Sequence, residues 1–398
     1  MLHSYSFSNF RSFHERVEVS FALTDKDAVH GWDRLSERSH QRLTTAMAVL
    51  GPNASGKTSL IQPLAFLAWF VRNSFNAAPN VGVLVPPHFT AQSEPTEFEV
   101  ILDAPEPETL LRYRLSATTE HVLTESIERK LRRGQWRSTF ARERTKDGTY
   151  RVTQDGFGLD QTNAEKVRPN VSLISWALQF DVPFAKQFTS FNFQTNMFMG
   201  GRWWQPHDHT VDQCIQHYAK DPELQKRLPE LLSEWDLGLA GVELKEVETP
   251  NASGETTKRW LAFGVHRDGK HKKHILPFLH ESSGTKTAFA LLTQFLPVLT
   301  YGGVIAYDEL DSDLHPHMLE ALLDLFASEE SNPHGAQIIF TSHSVEVLRL
   351  LQKSQIMLVD RDGLDSHAWR LDSMEGVRSD DNRVAKYLAG AYGAVPRL

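Results

Sequence analysis

The stretch Gly51-Pro52-Asn53-Ala54-Ser55-Gly56-Lys57-Thr58 limits what this chain can fold into more than any other. Its G-x-x-x-x-G-K-[ST] spacing is that of a phosphate-binding loop, which needs a strand before it and a helix after it. Residues 43–50 read as that strand, with Thr45, Met47, Val49 and Leu50 as its apolar or β-favouring members. Residues 57–72 read as the helix. Gly51 and Gly56 let the backbone wrap a polyphosphate closely, because a Cβ would block the approach. The helix start offers free N–H groups and the positive end of the helix dipole to negative charge. In such a loop Lys57 reaches the β- and γ-phosphates of a nucleotide, and the Thr58 hydroxyl sits on magnesium. Asn53, Ser55 and Ser59 complete the candidate nucleotide-binding set.

A second stretch belongs with the first. Gly303-Val304-Ile305-Ala306-Tyr307-Asp308-Glu309 is an apolar run ending in two adjacent carboxylates. An unbroken apolar run is what a parallel strand buried on both faces requires. At its end Asp308 is placed to take the metal, and Glu309 to orient or deprotonate an attacking water.

Composition sets limits around these motifs. The 398 residues suffice for one large or two ordinary domains. No apolar run approaches the length of a membrane span. The N-terminus shows no charged segment followed by an apolar core, so no secretory signal is expected. Cys214 is the sole cysteine, which precludes an intrachain disulfide and suits the cytoplasm. The formal net charge is −8, against a protein coated with nucleic acid. Two basic segments stand out from that average, residues 129–151 and 258–274. Both read as β-hairpins, with Asp147-Gly148 and Asp268-Gly269 at the turns. Their charges are solvated faces or phosphate contacts.

Residues 2–21 read as strands around a turn, and 76–95 as a loop. Residues 97–102, 111–117, 126–132 and 150–153 read as an antiparallel sheet. Helices are expected at 170–180 and 213–235, with an irregular aromatic stretch at 191–209 between them. Strands follow at 239–247 and 260–265, and a helix at 284–300. Beyond the second motif come helix 316–327, strand 337–340, helix 345–352 and strand 355–359, an alternation that makes a parallel α/β core. There is no internal repeat and no long heptad run. Trp203, Trp204, His207 and His209, with Cys214 and His217 nearby, have metal-capable members, but their spacing matches no common zinc pattern and reads as an aromatic loop at an interface.

Four further motifs carry a family resemblance. His280-Glu281-Ser282-Ser283-Gly284-Thr285-Lys286 resembles the signature motif of ABC-type ATPases. Leu310-Asp311-Ser312-Asp313-Leu314-His315-Pro316 resembles their D-loop, and Thr341-Ser342-His343-Ser344 their switch histidine. Asn9-Phe10-Arg11-Ser12-Phe13 resembles the N-terminal strand signature of the RecF, SMC and OLD branch. With the two motifs above, all six stand in the family's order across most of the chain. The signature, the Leu-His-Pro and the tail at 382–396 further resemble bacterial AbiLi/RloA-type defence ATPases.

The resemblance implies an α/β ATPase head: a RecA-like parallel core, an antiparallel β subdomain and a helical lobe. Residues 1–170 would hold the phosphate loop and β subdomain, 171–300 the helical lobe and the strands leading to the signature, and 301–398 the rest of the core with the tail. It implies ATP and Mg2+ as cofactors, Asp308 and Thr58 on the metal, and Glu309 and His343 as catalytic residues. It also implies a homodimer or higher oligomer in which Ser283, Gly284 and Asp311 meet the nucleotide of the opposite protomer. The Q-loop glutamine has no clear counterpart; Gln92 stands nearest, within a stretch that otherwise reads as loop. The function implied is an ATP-driven switch controlling a separate effector in anti-phage defence, a nuclease or an RloB-like or Toprim protein. Aromatic and methionine residues at 191–204 and the tail at 387–396 offer docking material. The alternatives are a RecF-like DNA-maintenance ATPase acting on DNA, weakened for the SMC type by the missing coiled coil, and a transporter subunit, weakened by the RecF-like N-terminus.

Overall fold

Five short strands run parallel through the centre of the molecule: Ala46–Leu50 (β1), Phe193–Thr195 (β2), Val304–Tyr307 (β3), Gln337–Thr341 (β4) and Ile356–Asp362 (β5). Their spatial order is β2-β3-β4-β1-β5, and Asp365–Arg370 (β6) closes the β5 edge antiparallel. The computed structural model describes every residue except 25–28, 30, 132–133, 203–207, 236, 251–255, 313, 315 and 397–398.

Alternate residues of these strands serve two separate cores. Met47, Val49, Val304, Ala306 and Ile339 face helix Lys57–Asn73 (α1), whereas Ala46, Ala48, Leu50, Ile305, Tyr307, Ile338 and Phe340 face the opposite side. Side chains alternate along a strand, so burial on both faces demands an apolar residue at every position.

On the first side, α1 lies between the parallel sheet and a seven-stranded antiparallel sheet. That sheet runs Tyr150–Gln154, Arg137–Arg144, Val122–Leu131, Thr109–Ala117, Thr96–Asp103, Leu2–Ser8, Val17–Ser20 in space. On the second side lie Asp208–Tyr218 (α2), Pro222–Glu234 (α3), Ser283–Tyr301 (α4) and Pro316–Ala327 (α5). A three-stranded sheet of Gly241–Pro250, Thr256–Arg267 and Lys273–Pro277 leads into α4. The architecture is the α/β head expected, with parallel core, antiparallel sheet and helical lobe.

Several expectations need correction. The strand at 43–50 breaks at Thr45, whose N–H donates to the Trp32 carbonyl; Arg42–Thr44 pairs with Asp33–Leu35 instead. The helix at 213–235 is two helices, because Asp221 caps Glu223 and Leu224 with Pro222 in the first turn. The helices at 170–180 and 345–352 shrink to Leu173–Ala177 and Val347–Leu350. The aromatic stretch supplies β2 to the parallel sheet, with Met197 fully buried and Phe198 packed on Trp69. Tyr387, Tyr392 and Ala394 of the tail are buried in the second core. Both stretches therefore give residues to the cores, while Leu388 of the tail stays exposed. Trp203, Trp204 and His207 lie outside the described residues.

The basic segments also change meaning. Arg142 is buried against Glu125, which also accepts from Tyr113, Ser172 and the Leu173 N–H. Arg112 and Lys130 sit over the Trp136 ring. In the second segment Lys258, Lys273 and Arg259 pair with Glu246, Glu243 and Asp212. Arg132 and Arg133 lie outside the described residues. Among the described residues no helix is long and apolar enough to cross a membrane.

Candidate functional site

The C-terminal ends of β1, β3 and β4 converge on one cleft of about 1140 Å³. Ligands of open parallel sheets bind at this end of the strands. Asn53, Gly56, Lys57, Thr58 and Ser59 form its floor; Asp308, Glu309, Thr341 and His343 form one wall, and Arg11, Ser12 and Gln92 also line it.

The loop is shaped by two glycines that no other residue can replace. A Cβ on Gly51 would lie 2.1 Å from the Val359 carbonyl oxygen of β5. Gly56 has φ 109°, and a Cβ there would lie 2.6 Å from Ser366 Oγ and 2.9 Å from Ser12 Oγ. Inside the loop Lys57 Nζ donates to the Gly51 and Pro52 carbonyls, both at 2.9 Å. Burial holds its ammonium below the usual lysine value, opposed by Asp308, Glu309 and Asp311. The buried Ser55 Oγ has no hydrogen-bond partner.

Asp308 is 5% exposed. Thr58 Oγ1 donates to its Oδ1 at 2.9 Å and Thr341 Oγ1 to the same oxygen at 2.7 Å. Burial pushes the Asp308 carboxyl above its usual value and Glu309 adds to the rise; the two threonine hydrogen bonds and Arg202 pull it back. Glu309 has φ 52°, an uncommon backbone conformation for this residue type, and its N–H donates to Thr341 Oγ1 at 2.7 Å. Its Oε2 accepts from Arg202 Nη1 at 3.0 Å and from Ser312 Oγ at 3.2 Å, and its Oε1 lies 3.7 Å from His343 Nε2. Asp311 accepts from the His343 N–H and does not line the cleft.

The residues present fit a nucleotide with magnesium. A glycine cradle closed to any Cβ, an unpartnered buried hydroxyl and a lysine held by carbonyls alone suit an incoming polyphosphate. Thr58 and Asp308 already meet at one point of the wall and offer the oxygens a hard cation takes.

Two side chains here escape a reading of the sequence. Asn196, fully buried, donates Nδ2–H to the Asp308 carbonyl and accepts the Asp308 N–H at Oδ1, both at 2.8 Å. Arg202 holds Glu309 as described. Both come from the aromatic stretch, where nothing sets Asn196 apart from Asn192 four residues earlier. Gln92 does reach the cleft; the Asn9 amide holds its loop by donating to the Ala91 and Glu94 carbonyls and accepting the His88 N–H.

Ser283 and Gly284 do not line this cleft. They open α4, whose cap Ser282 accepts the Thr285 N–H at 3.1 Å. Ser283 is exposed, and a Cβ on Gly284 would meet only Ser282 Oγ, at 3.9 Å.

A family model described as "AAA domain, putative AbiEii toxin, Type IV TA system" matches residues 46–349. No curated protein sequence matches the chain. Among solved structures it is similar to an SMC head bound to the C-winged helix domain of ScpA, at 13% identity and a TM-score of 0.46, covering 94% of this chain and 98% of that one. The SMC head domain from Thermotoga maritima gives 16% identity and 0.44, with 93% and 98% covered. The Smc head with coiled coil and joint from Pyrococcus yayanosii gives 10% and 0.45, with 98% and 99% covered.

Proposed function

The chain belongs to this AAA-domain family of P-loop ATPases, and from that premise we propose an ATP-hydrolysing conformational switch that closes on a second copy of itself. One observation carries the reading. Lys57, Thr58, Asp308, Glu309 and His343 share one cleft, while Ser283 is exposed, Gly284 is half-buried and neither lines that cleft.

Bound ATP with magnesium supplies the scissile anhydride. Lys57, with Asn53, Ser55, Gly56 and Ser59, neutralises and cradles the phosphates. Thr58 and Asp308 hold the metal. Glu309 orients and deprotonates the water, with His343 beside it. Arg202 holds Glu309 Oε2, which leaves Oε1 on the His343 side to take the water proton. Ser283, Gly284 and Asp311 complete the site of the opposite protomer. Gln92 takes the Q-loop position. The segments 1–170, 171–300 and 301–398 serve as cradle, signature arm and hydrolytic wall.

The switch works in the cytoplasm and controls a separate effector in anti-phage defence, a nuclease or an RloB-like or Toprim protein. The family description, with its toxin and toxin–antitoxin terms, supports a defence role, and the recognisable chemistry of this chain is taken up by ATP. The test is the Glu309→Gln variant with ATP and Mg2+, observed by light scattering. It should form a stable dimer, dependent on ATP, that turns over at least about 100-fold more slowly than wild type. A chain that stays monomeric at saturating ATP, or wild-type turnover in the variant, sinks the reading.

A further inference from the structure

Behind the cleft wall, two histidines and an aspartate from three distant segments come together. His14 follows the N-terminal turn, His88 lies in the loop after α1, and Asp365 begins β6; their ligand atoms all lie within 4.8 Å of one another. We propose that these three residues bind a transition-metal cation of the zinc class, at a site distinct from the magnesium position at Thr58 and Asp308.

The geometry around His88 supports an ion. Its ring is 1% exposed, with Nδ1 2.8 Å from Thr90 Oγ1. Its Nε2 lies 3.2 Å from the Leu364 carbonyl oxygen and 3.5 Å from Asp365 Oδ1. The Thr90 N–H lies 3.3 Å from Nδ1, so without an ion Nδ1 accepts and Nε2–H donates to the Leu364 carbonyl; a cation at Nε2 takes the place of that proton. Loading the site therefore moves the proton to Nδ1, where Thr90 Oγ1 at 2.8 Å accepts it in place of the Thr90 N–H contact. The Thr90 hydroxyl then acts as the outer partner that metal-bound imidazoles commonly have. Ligand atoms at a tetrahedral zinc stand about 3.3 Å apart, close to the His88–Asp365 separation. His14 supplies the third ligand. Its exposed ring now lies flat beside His88, 5.2 Å between centroids and 14° between planes. It must turn about its own side-chain bonds to aim a nitrogen at the ion. Two imidazoles and one carboxylate favour zinc, cobalt or nickel over magnesium or calcium.

The position gives the ion a consequence. Arg11, Ser12, Pro87, Phe89 and Leu364 neighbour the three ligands in sequence and line the nucleotide cleft. The Arg11 N–H donates to the Pro86 carbonyl, and Ser366 Oγ to the Ser55 carbonyl of the phosphate loop. An ion joining the three segments fixes that wall, so metal and nucleotide affinities are linked and each ligand strengthens the other equally.

The test uses the full chain without any affinity tag, stripped with chelator and titrated with Zn2+ by calorimetry and with Co2+ by visible absorption. One ion per chain is expected, with imidazole-type Co2+ bands, a raised unfolding temperature and no displacement by excess Mg2+. Asp365→Asn and His14→Ala change exposed or half-exposed groups and should each weaken binding at least about tenfold while the chain stays folded. His88→Ala should remove it. Unchanged Zn2+ affinity in Asp365→Asn and His14→Ala, absence of binding to wild type, or displacement by Mg2+ each overturns the proposal. None of these readouts depends on ATP hydrolysis.

Discussion

Two helix starts in this chain use the same residue types and are satisfied in opposite ways. At α1, Ser55, Gly56 and Lys57 are enclosed: strand β5, Ser12 and Ser366 leave no space for a Cβ, and Lys57 is tied to the loop's own carbonyls. At α4, Ser282 and Ser283 are exposed and Gly284 is half-buried, with Ser282 Oγ hydrogen-bonded to the Thr285 N–H and hydroxyl. Among the described residues only Ser282 comes near a Cβ built on Gly284, so a side chain there would be tolerated within the protomer. The enclosed start is built by the chain itself, whereas the open one is what the proposed second protomer would use.

The largest effect should come from breaking each start in turn. Lys57→Ala should abolish nucleotide binding, measured by calorimetry, because the phosphate charge loses its main partner. Ser283→Arg should leave nucleotide binding by the protomer within about twofold and abolish ATP-dependent dimerisation, since bulk and charge would meet the opposite nucleotide. Mixing the two variants should restore at most one competent site per dimer. Full turnover by Ser283→Arg alone would place α4 outside the site.

A smaller effect tests the enclosed side. Asn196→Ala removes both hydrogen bonds to the Asp308 backbone and leaves buried polar groups without partners. It should cost about 1–3 kcal/mol of stability in denaturant unfolding and lower turnover more than nucleotide affinity. A variant as stable as wild type would mean that another group takes over those bonds.

The smallest expected effect concerns pH. The Asp308 carboxyl is raised by burial above its unfolded value. A raised acid stabilises the fold below the unfolded value, and that contribution is lost as pH rises through the folded one. The nucleotide-free chain should therefore lose some stability across the upper carboxylate range. Asp308→Asn should remove that loss and be more stable than wild type at neutral pH, while failing to respond to Mg2+. A thermal melt series with and without Mg2+ reads both. An identical pH dependence in the variant would assign the loss to other groups.

Much of both helix starts and of the acidic strand is legible in the amino-acid sequence. The phosphate loop, the Asp308–Glu309 strand and the Ser-Gly start of α4 each announce themselves within a few residues, because each answers a local demand: a close backbone approach, burial on both faces, a capped helix end. Expectation and structure part where local pattern and long-range packing diverge. Residues 191–202 carry no clear period, yet they supply an edge strand and two of the side chains that set the acidic wall. Arg142 reads as one more surface charge until Glu125 is brought to it from a neighbouring strand. The tail at 387–396 looks like a free docking segment until the second core covers Tyr387 and Tyr392.

By itself, then, the sequence determined that this chain carries a phosphate-loop motif at a strand–helix junction and sets two carboxylates at the end of a buried strand. The residues involved are neighbours, and their spacing is their geometry. Only the tertiary structure decided that Asn196 grips Asp308 across 112 positions and Arg202 grips Glu309 across 107. It also decided that His14, His88 and Asp365 meet behind the cleft. Such contacts depend on how sheets and loops stack around shared cores, and no local periodicity records that.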